Sequence, residues 1–391
     1  MLIKLGGRGL RPLTAGSERP FLGRICDDPG LQQGQRASHI LLASSANDLP
    51  VGFRAYLVRS SDGRSDGAAS EGAPDDVYQL GEDFHYLAAG DVIRIEPHRN
   101  SLHVLYRRRS RSNSFLLTER CDNNCVMCSQ PPKQRDDAWI VDELMEVIPL
   151  VSPETTEIGL TGGEPSLLGD RLIALIARCK DFLPNTALHL LSNGRGFSDR
   201  ALARAVATVD HPDLMIGIPL YADIPEVHDY VVQARGAFDD TVRGILNLKQ
   251  FGVRLELRFV IHAETVERMV AFAHFVARNL LFVDHVAFMG LELMGFARAN
   301  LESIWIDPLD YQRELREAVT VLDCAGVAVS IYNHQLCVLD RGLQHFARPA
   351  ISDWKNTYLA ECDSCDLRAA CGGFFASSDL RRSRGIRPVT K

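Results

Sequence analysis

Long apolar runs are missing from this 391-residue chain. No stretch is long and apolar enough to span a bilayer. The first twenty residues, "MLIKLGGRGLRPLTAGSERP", lack the continuous apolar segment of a secretory signal. A surplus of positive charge is missing too. The net charge is −7, so the overall balance gives no reason to expect a nucleic-acid partner. No internal repeat recurs at solenoid period. These absences argue against membrane and nucleic-acid partners and make a cytoplasmic, reducing compartment the expectation. In such a compartment clustered cysteines favour metal or catalysis over disulfides.

What is present reads as a globular protein, with 46% hydrophobic and 24% charged residues. The length suggests roughly two to three domains. Residues 1–36 are rich in Gly, Arg and Pro with little periodicity, which predicts an irregular segment. Residues 37–111 predict a small β-rich domain, with strands in "SHILLAS", "VGFRAYLVRS" and around the turn of "GDVIRIEPHRNSLHVLYRR". A polar loop, "SDGRSDGAASEGAPDD", interrupts them. The basic run "RRRSRSN" reads as a solvated linker, with a patch for an acidic partner as the alternative.

From residue 115 the pattern changes to short apolar strands alternating with helices, six of each in a βα rhythm over residues 112–300. That rhythm predicts an α/β fold, a parallel sheet with helices outside, as an open sheet or a partial (βα)6 barrel. Chemistry in such sheets gathers at the C-terminal strand ends. "CDNNCVMC", "GGEP", "SNG" and "YAD" fall there, after strands one to four. A further amphipathic helix and the strand "VAVSIYN" follow within residues 301–391.

Cys121, Cys125 and Cys128 stand at i, i+4 and i+7, the spacing of one helical face. The intervening "DNN" and the following Pro131–Pro132 oppose a helix, so the thiols belong to a loop. Structural zinc and ordinary electron-transfer clusters want four protein ligands, and no fourth Cys or His is close by. Three thiolates on a four-iron cubane would leave one iron open to a substrate or cofactor. Zinc and a chance grouping are the alternatives.

This C-x3-C-x2-C loop after the first strand of a βα domain resembles the radical S-adenosylmethionine (SAM) enzymes. The resemblance implies a [4Fe–4S] cluster whose open iron chelates SAM. It also implies reductive cleavage to a 5′-deoxyadenosyl radical that abstracts hydrogen. It puts Gly162, Gly163, Glu164 and Pro165 at the SAM amino group, with Glu164 as acceptor. Ser192 and Asn193 match positions near the ribose or methionine moiety, with a polar turn as the alternative. Arg258, mid-strand among apolar neighbours, needs a partner: the SAM carboxylate or a structural ion pair. Tyr221 and His228 are substrate-facing candidates, with plain packing the alternative for Tyr221 and a structural role at a helix start the alternative for His228.

Cys362, Cys365 and Cys371, spaced C-x2-C-x5-C, with Cys337 upstream, resemble part of the SPASM and twitch auxiliary domains. One auxiliary [4Fe–4S] cluster fits four thiolates, and structural zinc is the alternative. Cys179 reads as a core thiol, while Cys26 and Cys324 are left over. More narrowly, residues 75–378 resemble the His-Xaa-Ser system radical SAM maturases of the HxsC type. That likeness rests on "LLTERCDNNCVMCSQPPK", "LTGGEPSLL", "IPLYADIPEVHD", "YNHQLCVLD" and "ISDWKNTYLAECDSCDLRAACGGFF". It implies post-translational modification of a small precursor with His-Xaa-Ser repeats, alongside a second radical SAM maturase and a reductant protein. A small-molecule cofactor precursor as substrate, and a non-catalytic iron–sulfur partner, are the competing readings.

Overall fold

The computed structural model describes residues 4–59, 72–349 and 357–390. The body of the expected polar loop, residues 60–71, lies outside them, as do residues 350–356 of the last resemblance segment. The chain divides into two compact units. Among the described residues no helix is long and apolar enough to cross a membrane.

The first unit holds residues 1–113 with 142–156 and 181–186. Its strands are β1 (Gly6–Arg8), β2 (Leu10–Pro12), β3 (Phe21–Cys26), β4 (His39–Ala43), β5 (Ala55–Arg59), β6 (Val77–Leu80), β7 (Val92–Glu96) and β8 (Ser101–Tyr106), with a short helix α1 (Gln33–Arg36) before β4. They form one sheet in the order β1-β8-β7-β3-β4-β5-β6-β2. The two outermost strands are consecutive in the chain, separated only by Gly9, whose carbonyl accepts from the Gly81 N–H at 2.7 Å. The sheet thus closes on itself, which removes its open edges. Phe21, Ile25, Ile40, Leu57, Phe84 and Ile95 fill its core.

Residues 1–36 depart from the expected irregular segment, because β1, β2 and β3 lie inside them. The reason is physical. The three-residue β1 and β2 carry no readable period, and their partners are remote, as in the pairing of Gly6 with His103.

The second unit holds residues 114–141, 157–180 and 187–391. Its sheet runs in sequence order from β9 (Asn113–Leu116) through β10 (Glu157–Thr161), β11 (Ala187–Leu191), β12 (Leu214–Pro219), β13 (Arg254–Ile261) and β14 (His285–Gly290) to β15 (Val329–Tyr332). The pairs from β10 to β15 are parallel. Between them lie α2 (Trp139–Val147), α3 (Asp170–Phe182), α4 (Arg200–Thr208), α5 (Pro225–Val232), α6 (Ala237–Gln250), α7 (Ala263–Val266), α8 (Met269–Asn279), α9 (Gly295–Ala299), α10 (Leu301–Ile304) and α11 (Gln312–Cys324).

The sheet has seven strands where a six-stranded βα run was expected, because β15 joins it beside β14, Phe288 opposite Ile331. One row of strand side chains is fully buried and apolar, as Ile158, Leu160, Leu188, Leu190, Leu255, Leu257 and Phe259. The alternate row carries His189 on β11, Glu256 and Arg258 on β13 and His285 on β14, with Glu256 directly opposite His285. Cys179 is a buried core thiol on α3, as expected.

Candidate functional site

The cysteine loop leaves β9 and is stitched down by its own backbone. The N–H groups of Asn124 and Val126 donate to the carbonyls of Val232 and Val231 at the end of α5, at 3.0 and 2.9 Å. Asn300 Nδ2 donates to the Val126 carbonyl at 2.8 Å, and the Phe296 N–H donates to the Cys128 carbonyl at 2.8 Å. Gly295, at φ +54°, lets α9 start there. A Cβ on it would lie 2.5 Å from the Cys128 carbonyl oxygen. Cys125, Val126 and Met127 pack with Tyr221, Val231 and Ile304.

The three thiols feel one another. Burial pushes Cys121 up to about 12, with the negative charge of Glu164, Asp122 and Cys128 adding to it. Burial raises Cys125 further, and Cys128 and Cys121 are its next causes. Tyr221, buried, is pushed well above the usual phenol range by desolvation and then by Cys125 and Cys128, while Arg258 opposes the rise. The thiols, Tyr221 and Arg258 therefore face a common region. Among the described residues no three Cys, His, Asp or Glu side chains are drawn together as a finished metal site. Three convergent, desolvated thiols resist ionisation alone and suit a cationic iron cluster that would fix them as thiolates.

The "GGEP" turn after β10 presses directly on this loop. The Gly163 N–H donates to the Thr118 carbonyl at 2.8 Å, and the Glu164 N–H to the Arg120 carbonyl at 2.7 Å. A Cβ on Gly163 would lie 2.1 Å from the Arg120 carbonyl oxygen, so no larger residue fits without shifting the backbone. Pro165 begins a short 3-10 turn.

Glu164 joins this turn to the next one. Its carboxylate is fully buried and already receives three hydrogen bonds: Ser166 N–H at 2.8 Å and Ser192 Oγ at 2.7 Å on Oε1, and Asn193 N–H at 2.5 Å on Oε2. Burial raises its pKa against the pull of these donors. It clasps the turn after β10 to the turn after β11. Ser192 and Asn193, expected near a ribose, are its partners. Asn193 also donates through Nδ2 to Asp122 Oδ1 at 2.6 Å.

Arg195 carries no prior expectation and holds the same loop. Its Nη1 reaches Asp122 Oδ2 at 3.1 Å and Asn123 Oδ1 at 2.8 Å, while Nη2 lies 3.5 Å from Asp240 on α6. An arginine directly after "SNG" was the only local signal.

Arg258 has an ion-pair partner within the sheet. Nε lies 3.5 Å from Glu256 Oε1, and Nε and Nη2 lie 3.3 and 3.1 Å from Met289 Sδ. Glu256 also binds His285 Nδ1 at 2.7 Å and lies 3.4 Å from His189 Nε2, and His285 Nε2 reaches Ser330 at 2.9 Å. Burial alone would raise the Glu256 pKa, but the two histidines and Arg258 overcome it and hold it well below the carboxylate range.

His228 lies on α5. It is buried, stacked under Tyr221 at 5.8 Å between ring centroids, with Nδ1 accepting from the Tyr221 N–H at 3.3 Å. The ring thus packs against Tyr221 and, edge-on, against Phe238.

Toward the end of the chain, the bridge between Thr357 and Phe374 closes a loop that carries Cys362, Cys365 and Cys371. Tyr358 Oη donates to the Cys371 carbonyl at 2.7 Å, and Gln335 Nε2 donates to the Gly373 carbonyl at 2.9 Å. Burial raises the Cys337 pKa; the Arg387 N–H opposes this, and Cys371 and Cys362 add to it. Cys337 thus lies near Cys371 and Cys362, and among the described residues these thiols form no finished metal site. A cavity lined by Ile261, Gly290, Asn333, Gln335, Gly373 and Phe374 lies between the ends of β13–β15 and this segment.

Residues 115–276 match the family model of the Radical SAM superfamily. Fe-coproporphyrin III synthase of Methanosarcina barkeri (strain Fusaro / DSM 804) is 28% identical over 159 residues, 40% of this chain and 38% of that protein. Streptococcus suis SuiB bound to S-adenosylmethionine gives a TM-score of 0.44 at 13% identity, over 56% of this chain and 49% of that one. AnSMEcpe with bound AdoMet and Cp18Cys peptide gives 0.42 at 18% identity, over 56% and 62%. The chain spans well under half the length of the curated relative and about half that of SuiB.

Proposed function

Since residues 115–276 match the Radical SAM superfamily model, we propose that this chain is a radical SAM maturase that modifies a small precursor peptide or protein. The observation that carries the reading is the contact of the three-thiol loop with the "GGEP" turn, backbone against backbone at Thr118–Gly163 and Arg120–Glu164. Cys121, Cys125 and Cys128 would hold a [4Fe–4S] cluster, and the Gly162–Gly163 turn would receive SAM beside it. The bound group supplies an electron and a 5′-deoxyadenosyl radical for hydrogen abstraction. Glu164, Pro165, Ser192, Asn193 and Arg195 fix the two turns in place. Arg258, steadied by Glu256, meets the SAM carboxylate, and Tyr221 walls the region on the substrate side. Cys337, Cys362, Cys365 and Cys371 hold a second [4Fe–4S] cluster in a SPASM- or twitch-like region.

The His-Xaa-Ser repeat precursor is the substrate this reading favours, supported by the sequence resemblance over residues 75–378. Co-expression with such a peptide, followed by mass spectrometry and chirality analysis, tests it. A changed mass or an inverted residue is expected, and an unaltered peptide beside a SAM-cleaving enzyme refutes the substrate. About eight irons per chain are expected after anaerobic reconstitution. Replacing Cys121, Cys125 and Cys128 by Ala should remove about half. A small-molecule substrate is the second reading, favoured by the partial identity to a protein named as a coproporphyrin synthase.

A further inference from the structure

The segment after the cysteine loop returns to the four C-terminal thiols and touches two of them with backbone. The Val389 N–H donates to Cys365 Sγ at 3.3 Å. The Val389 carbonyl in turn accepts from the Asp366 N–H at 2.9 Å, so residue 389 is clamped on both sides of its peptide. Two residues earlier, the Arg387 backbone reaches the Cys337 thiol. The segment is anchored before it gets there. Ser383 Oγ and the Arg384 N–H donate to Asp307 at 2.6 and 2.9 Å, and Arg384 Nη1 pairs with Asp310 at 2.9 Å. Arg381 pairs with Glu302 at 2.6 Å. Three charged residues around α10 and the start of α11 therefore hold the strand that delivers both N–H groups.

We infer that residues 381–389 form a latched strap whose Arg387 and Val389 N–H groups set the reduction potential of the auxiliary cluster. The inference rests on the four-thiolate reading above. A reduced cluster carries one more negative charge, shared by its sulfur ligands. Backbone N–H groups aimed at those sulfurs stabilise the reduced form more than the oxidised one and raise the potential. The acidic anchors act at a distance, as positioning residues, by keeping the strap on the thiols.

The test uses the full chain with Cys121, Cys125 and Cys128 replaced by Ala, so that all iron reports on the four C-terminal thiols. Redox titration followed by electron paramagnetic resonance reads the midpoint potential. Val389→Pro removes the N–H and keeps the carbonyl. It should lower the equilibrium constant for reduction about tenfold, about 59 mV for one electron. Val389→Ala keeps the N–H and should titrate with the parent. Asp307→Asn, far from the sulfurs in sequence, should shift the potential in the same direction as Val389→Pro and speed iron loss to a chelator. A parent that binds no iron overturns the four-thiolate reading and the strap with it. A parent that binds four irons, with Val389→Pro and Asp307→Asn at the parent's potential, overturns the strap alone.

Discussion

Glu164 has two carboxylate oxygens and three donors, all removed from water. Cutting the side chain back strands Ser192 Oγ and two backbone N–H groups at once. Each buried donor left unpaired costs about 1–3 kcal/mol. Glu164→Ala should therefore lose about 3–5 kcal/mol of unfolding free energy, measured as a fall in the urea midpoint at constant slope. Glu164→Gln keeps one acceptor for Ser192 but turns a donor toward a backbone N–H, so its loss should fall between. If Glu164→Ala unfolds at the wild-type midpoint, the clasp is absent and the carboxylate stands free.

Arg195 shows the same logic one level up, because it joins three elements: the cysteine loop through Asp122 and Asn123, the turn after β11 through its own backbone, and α6 through Asp240. A planar fork can serve several acceptors where an ammonium serves as a point charge. Arg195→Ala should cost about 2 kcal/mol and raise hydrogen exchange at the amides of residues 121–128, read by mass spectrometry. Arg195→Lys should recover less than half of that. Unchanged exchange in the loop would deny Arg195 its part in ordering it.

At this scale the limits of sequence reading have a clear cause. The strand "RLELRFVIH" was legible, since one alternate row is apolar and the other carries Glu256 and Arg258. So was the three-cysteine loop, whose turn formers and prolines are all local. The strands β1 and β2 were not, because only remote partners make them strands, Gly6 opposite His103 and Leu10 opposite Leu80. Glu164 was legible as a motif and illegible as a clasp. Nothing near it in sequence announces that Ser192 and Asn193 will turn their donors on it. Arg258 showed a need for a partner, but Glu256 satisfies it only in company with two histidines, His285 from the adjacent β14 and His189 from β11.

The whole molecule should respond to acid in a way that these buried groups dictate. Burial lowers His228, His262 and His334 from about 6.5 to about 4. His334 is held neutral by geometry as well: Nδ1 donates to the Tyr332 carbonyl at 2.8 Å, which leaves Nε2 as acceptor for Tyr311 Oη at 2.8 Å. Neither ring nitrogen of His262 has a hydrogen-bond partner, so protonation gains it nothing. In the unfolded chain each of these rings takes a proton near its ordinary pKa, while in the folded chain it waits until about 4. Their stabilising effect is thus fully present above about 6.5 and is lost as pH falls toward 4, each ring at up to about 1.4 kcal/mol per pH unit. Glu256 works in the same sense further down, since its depressed carboxyl adds stability above the unfolded carboxylate range and loses it as acid protonates the folded form. Urea unfolding between about pH 7 and pH 4.5 should show a steadily falling midpoint. His262→Leu should flatten that fall by one ring's share while keeping the site apolar. A midpoint that stays level from about pH 7 to pH 5 would mean that these three rings are already wet and take up their protons in the folded chain as readily as in the unfolded one.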